Sequence, residues 1–185
     1  MFFCLLSFLS FATASVIVEE LVLYIPHTSS RYYTIEIDMY MGPFELNTTF
    51  SYLMLDKHNE KRALHGTKKL RWSTETFEYA ANYSQYYNCS GILEHSYGKY
   101  GENLAYGYPP EGAIDAWYDE GKTYVYGTED VYNHFTAMVW NNVDSVGCAY
   151  KRCPNDVLYI ICSYDPPGNV IGYSSENVLP LKVIT

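Results

Sequence analysis

Apolar and polar positions follow a helical period over the first two thirds of the chain and a strand period near its end. Residues 50–65 are rich in helix formers (Leu53, Met54, Leu55, Glu60, Lys61, Arg62, Ala63, Leu64) and stop at Gly66, where a C-cap belongs. Ser73 is an N-cap for a second helix ending near Cys89, in which Phe77, Ala80, Ala81, Ser84 and Tyr87 share one face. A third helix starts at Glu111 behind Pro110, and its apolar stripe of Ala113, Ala116 and Trp117 runs on to Glu120. A carboxylate on such a stripe is costly unless paired. A fourth helix, 133–140, sets Phe135, Met138 and Val139 on one face with His134 at its start. Residues 145–152 and 157–164 read as strands, the second as continuously apolar as a central strand, and Asp165-Pro166-Pro167-Gly168 closes it with a turn. Glycine-rich 91–110 and aromatic 121–132 read as loops. Helices first and strands last, without βαβ alternation, predict an α+β layered domain.

The first 14 residues carry an apolar run followed by Ala12-Thr13-Ala14, the pattern of a secretory signal peptide and too short to span a bilayer. Residues 15–48 hold no sustained period and read as a poorly ordered leader, 49–180 as the domain and 181–185 as a tail. Hydrophobic residues at 48% and charged ones at 18% place the domain among globular proteins. A net charge of −9 argues against any nucleic-acid partner, whose phosphates call for clustered Lys and Arg.

Four cysteines lie beyond the signal: Cys89, Cys148, Cys153 and Cys162. An even count in a secreted chain implies disulfides, with three pairings open, and no Cys-x-x-Cys pair favours zinc. Sequons at Asn47, Asn82 and Asn88 agree with glycosylation on a secretory route.

The run His134-Phe135-Thr136-Ala137-Met138-Val139-Trp140 resembles the first signature of the CAP superfamily, the cysteine-rich secretory, antigen 5 and pathogenesis-related 1 proteins. Residues 159–170 resemble its second signature. His58-Asn59 with Arg62, Tyr100-Gly101-Glu102-Asn103-Leu104-Ala105, Trp117-Tyr118 with Glu120, and Val146-Gly147-Cys148 agree in order. Within the superfamily the chain looks most like the secreted fungal pathogenesis-related proteins, the yeast sterol-binding kind. It departs at Asn133, where glycine is usual, at Val143, where Ser or Thr is favoured, and in a shorter 121–133 segment. The resemblance implies a three-layer α-β-α sandwich, disulfides Cys89–Cys153 and Cys148–Cys162, and a cavity tetrad of His95, Glu102, Glu120 and His134.

Two imidazoles and two carboxylates suit an optional divalent metal, zinc or magnesium, though none is required. They equally suit a satisfied polar cluster or, as a third option, an acid–base pair for hydrolysis. The resemblance assigns sterol binding to the aromatic loop, here Tyr124, Val125 and Tyr126, whose rings offer an apolar body with a hydroxyl. The function expected is therefore non-enzymatic: extracellular binding and export or transport of sterols, sterol esters or fatty acids. The alternatives are a secreted module contacting a host or cell-wall partner and a metal-dependent hydrolase.

Overall fold

The computed structural model describes residues 42–182; the expected signal peptide, most of the leader and tail residues 183–185 lie outside the described residues. Helix α1, Thr48–His65, opens on Asn47, whose side chain accepts from Phe50 N–H at 3.0 Å, and closes at Gly66 with φ of 71°. Strand β1 is Arg71–Trp72, and α2 is Thr74–Tyr86, capped by the Ser73 hydroxyl. Strand β2, Gly101–Tyr106, precedes α3, Pro110–Asp119, which tightens into a 3₁₀ turn at Glu120–Thr123. Helix α4, His134–Val139, leads into β3, Ser145–Arg152, and β4, Leu158–Asp165; the short α5 is Ser174–Asn177.

The sheet runs β1-β3-β4-β2, with β1 parallel to β3 and the other neighbours antiparallel. Helix α2 covers one face, where Phe77, Ala80, Leu104, Tyr159 and Ile161 pack. Helices α1, α3 and α4 cover the other, where Met54, Ile114, Trp117, Phe135, Met138 and Ile160 pack. This is the three-layer α-β-α sandwich. Gly147 sets how closely α2 approaches: a Cβ there would overlap the backbone N and Cα of Phe77. Among the described residues no helix is long and apolar enough to cross a membrane.

Several details differ from the sequence reading. Strand β2 lies in a stretch read as loop; its glycine-flanked sequence takes β form by pairing with β4, from Gly101↔Tyr164 to Tyr106↔Tyr159. Helix α2 stops at Tyr86 because Tyr87 is extended. On α3 the buried residues are Ala113, Ile114 and Trp117 rather than Ala116. Phe44 and Leu46, placed in the leader, pack against the α2-side core, and α1 begins two residues before Phe50.

Arg62 of α1 is fully buried without a carboxylate. Its Nε donates to Lys68 O at 2.7 Å, one terminal nitrogen to Met138 O at 2.8 Å and Trp140 O at 2.9 Å, and the other to Val143 O at 3.1 Å. Burial pulls its pKa down to about 10, which leaves it cationic at neutral pH. The carbonyls at the α4 C-terminus carry the partial negative charge of the helix, so the cation is matched where it lies. Arg62→Met should cost at least about 3 kcal/mol in urea unfolding, because several buried carbonyls lose their donor at once. Arg62→Lys should recover only a minority of that loss, since an ammonium cannot span the same carbonyls.

Candidate functional site

Glu120 closes the α3 stripe and faces the first turn of α4. Its Oε2 accepts His134 N–H at 2.8 Å, and its Oε1 lies 2.6 Å from His134 Nδ1. Asn133 caps that turn, exchanging hydrogen bonds with Thr136, so the residue replacing the family's usual glycine fixes the helix start. The His134 ring stacks on Trp117 at 6.1 Å. On β2, Glu102 Oε1 lies 2.7 Å from His95 Nδ1 and accepts Ser96 N–H at 3.1 Å. The Glu102 side chain is only 6% exposed, whereas that of His95 is 53% exposed. An ionised carboxylate only accepts, so each ring carries a proton on Nδ1, and in the neutral ring Nε2 keeps its lone pair.

The four residues expected to form one tetrad are joined in two hydrogen-bonded pairs, His95 with Glu102 and His134 with Glu120. A cleft of about 240 Å³ is lined by His95, Tyr97, Tyr100, Glu102, Ala137 and Asn169 among others, but not by Glu120 or His134. Strand alternation sets the facing of β2. Glu102 lies on the sheet face covered by α2, while the next residue, Asn103, points to α4 and donates to His134 O at 3.0 Å. Among the described residues no group of three or more His, Cys, Asp or Glu side chains could hold a metal ion. In each pair the carboxylate engages Nδ1 and leaves the Nε2 lone pair unengaged by it, the orientation a carboxylate gives an imidazole behind a ligand site. The cleft is also smaller than the roughly 300 Å³ at which drug-sized pockets begin.

A buried polar chain, not anticipated from sequence as a unit, sets the place of α4. His58 Nδ1 lies 2.7 Å from Met54 O, and its Nε2 lies 2.8 Å from Tyr164 OH. Asn103 Nδ2 donates to that hydroxyl at 3.1 Å as well as to His134 O. Burial pushes His58 down to about 4, with the Arg62 charge adding to the effect and the Met54 carbonyl opposing it. The ring is therefore neutral at pH 7, donating from Nδ1 and accepting the Tyr164 hydroxyl proton at Nε2. The readable signal was polar residues at otherwise apolar positions of α1, β2 and β4.

The aromatic loop divides as well. Tyr124 is 7% exposed and belongs to the core, its ring 5.6 Å from Phe135 and 5.3 Å from Tyr126. Phe135 also meets Tyr118 at 5.6 Å and His65 at 5.4 Å. Tyr124 therefore anchors the loop, whereas Val125 is 70% exposed and Tyr126 is partly exposed. Cys89 is bonded to Cys153, and Cys148 to its cross-strand partner Cys162. Of the sequons, Asn47 caps α1 and donates to Tyr150 OH at 3.1 Å; Asn82 and Asn88 are exposed, and Asn88 accepts from Ser90 N–H.

The family model described as the cysteine-rich secretory protein family (CAP) matches residues 55–164. A probable pathogenesis-related protein of Candida albicans is 65% identical over 150 residues, which cover 79% of this chain and 74% of that protein. The secreted protein RBT4 of the same yeast is 49% identical, over 72% of this chain and 41% of RBT4. Protein PRY2 of Saccharomyces cerevisiae is 50% identical, over 71% of this chain and 42% of PRY2. The chain thus spans about two fifths of these two longer relatives. Among solved structures, Schistosoma mansoni venom allergen-like protein 4 has a TM-score of 0.57 at 21% identity, covering 74% of this chain and 97% of that one. BmVAL-1 has a TM-score of 0.60 at 19% identity, covering 76% and 86%. At such identities the likeness bears on the fold alone.

The buried His58 gives a pH prediction. Its folded pKa is depressed, so the unfolded state binds the extra proton, and stability falls as pH drops from about 6.5 to about 4. Urea unfolding across that window should show a loss of about 3 kcal/mol attributable to this group. In His58→Gln the slope over the same window should be markedly flatter, and an unchanged slope would remove His58 as its source.

Proposed function

The chain belongs to the cysteine-rich secretory protein (CAP) family, among the fungal pathogenesis-related proteins of the PRY and RBT4 type, and from that premise we propose that it is a secreted binder of small hydrophobic lipids. Sterols and their esters come first, with fatty acids as a variant, and the role is their export or transport. The observation that carries this reading is the exposure of Val125 and Tyr126 on a loop whose root, Tyr124, is held in the core against Phe135. An apolar side chain and a phenol on a pre-shaped loop present a face to a flat ring system at little ordering cost. The small polar cleft supports the same assignment by contrast, since its volume does not suit a sterol.

Secretion is supported by relatives named as secreted proteins and by two disulfides, which persist in oxidising compartments. A binding role fits better than catalysis. All four described cysteines are bonded to one another, and the sequence holds no Gly-x-Ser-x-Gly elbow. The His–Glu pairs then act as structural links at the cleft and at the start of α4.

Equilibrium uptake of a labelled sterol by the purified secreted chain tests the reading. Saturable uptake is expected for wild type, with a loss of about tenfold or more in Val125→Asp and in Tyr126→Ala. Tyr124→Ala should instead lower stability by about 3 kcal/mol, as a core deletion does. Absence of saturable uptake, or uptake indifferent to Val125→Asp, would overturn the assignment.

A further inference from the structure

The loop before α4 and the loop after β4 are bound to one another. Gly172 N–H donates to Tyr132 OH at 2.8 Å. Glu129 accepts Ser174 N–H at 2.7 Å and Ser175 N–H at 2.9 Å. Asn169 Nδ2 donates to Asn133 O at 3.0 Å. The residues beside these ties carry exposed apolar side chains: Val131 next to Tyr132, and Val170, Ile171 and Tyr173 around Gly172. Ile171 stands at the apex, 81% exposed. The fold gains nothing from an isoleucine held out in water, so its position points to something it meets outside the molecule.

Charge and size narrow the partner. The charged residues from 123 to 133 and from 168 to 181 are Glu129, Asp130 and Glu176, all acidic; Lys122 and Lys182 flank these stretches, and Lys122 is paired with Asp119 at 2.8 Å. The whole chain carries −9. An anionic surface would repel this ridge. Four partly exposed apolar side chains also make a small patch beside the roughly 800 Å² per partner that a standard protein interface buries, which weighs against a protein partner or a second copy. They are enough for shallow, reversible insertion at a lipid surface, with aliphatic side chains in the acyl boundary and a tyrosine at headgroup level.

We propose that the ridge formed by Val131, Val170, Ile171 and Tyr173 docks the protein on electrically neutral lipid bilayers. Val170 and Ile171 enter the acyl boundary, and Tyr173 lies among the headgroups. Docking sets the loop bearing Val125 and Tyr126 on the same molecule within reach of membrane lipid. The proposal rests on the lipid-binding reading for its purpose, but its geometry involves other residues.

Flotation of the full secreted chain with sterol-free phosphatidylcholine vesicles tests it apart from sterol uptake. Wild type should float with the vesicles and Ile171→Asp should bind about tenfold less, while keeping the wild-type sterol uptake measured in detergent micelles. Replacing about a third of the lipid by phosphatidylserine should weaken wild-type binding severalfold at low salt, with recovery at about 0.5 M salt as the repulsion is screened. Equal binding by wild type and Ile171→Asp, tighter binding to the anionic vesicles, or no vesicle binding at all would overturn the proposal. A concentration-dependent dimer abolished by Ile171→Asp would overturn it too, by assigning the ridge to a second copy. Failure of sterol uptake with vesicle binding intact would count against the ligand alone.

Discussion

The guanidinium of Arg62 reaches from α1 to the carbonyls of Met138, Trp140 and Val143 and so fastens the far end of α4 to the first helix. Asn103 takes the other end of α4 through His134 O, and the shared Tyr164 hydroxyl joins that contact to His58 on α1. A six-residue helix has little stability of its own and keeps its shape by such tertiary ties. Phe135, buried on α4, then offers a fixed wall for Tyr118, Tyr124 and His65. The exposed part of the aromatic loop is displayed because its root cannot move away from that wall. Buried charge thus governs, through one short helix, what the surface presents.

The same principle of polar ties positions the two conspicuous histidines. Each imidazole is committed at Nδ1 to its own carboxylate, and the backbone N–H of Ser96 and of His134 completes the two pairs. These contacts engage both Glu120 oxygens and one Glu102 oxygen, while Glu102 Oε2 is buried without a hydrogen-bond partner. On β2, Glu102 and Asn103 face opposite ways, and Asn103 reaches α4 at His134 O.

Much of the fold was legible because it rests on local physics. Asn47 and Ser73 as caps, Gly66 as a stop, and the long apolar run of β4 each act within a few residues. Glu120 was legible for a related reason: a carboxylate on the Trp117 stripe required a partner, and His134 supplies it. Strand β2 was not legible, because its β character comes from β4, far along the chain, rather than from its own glycine-flanked residues. The opposite facing of Glu102 and Asn103 was hidden likewise, since it could not be read without that strand. Tyr124 and Val125 look equally available in sequence, and only the position of Phe135 decides that one is an anchor and the other a contact surface. The ridge at Ile171 follows a turn that sequence marks clearly, but its tie to the opposite loop through Tyr132 and Glu129 is a long-range fact.

The central claim is that ligand binding belongs to the loop anchored by Tyr124 and not to the cleft at His95 and Glu102. It is tested most directly by measuring sterol uptake in the double variant His95→Ala, Glu102→Gln, with folding checked by circular dichroism. The account predicts wild-type capacity and affinity, because neither side chain contacts the loop. A folded double variant that no longer takes up sterol would contradict it and return the ligand to the cleft.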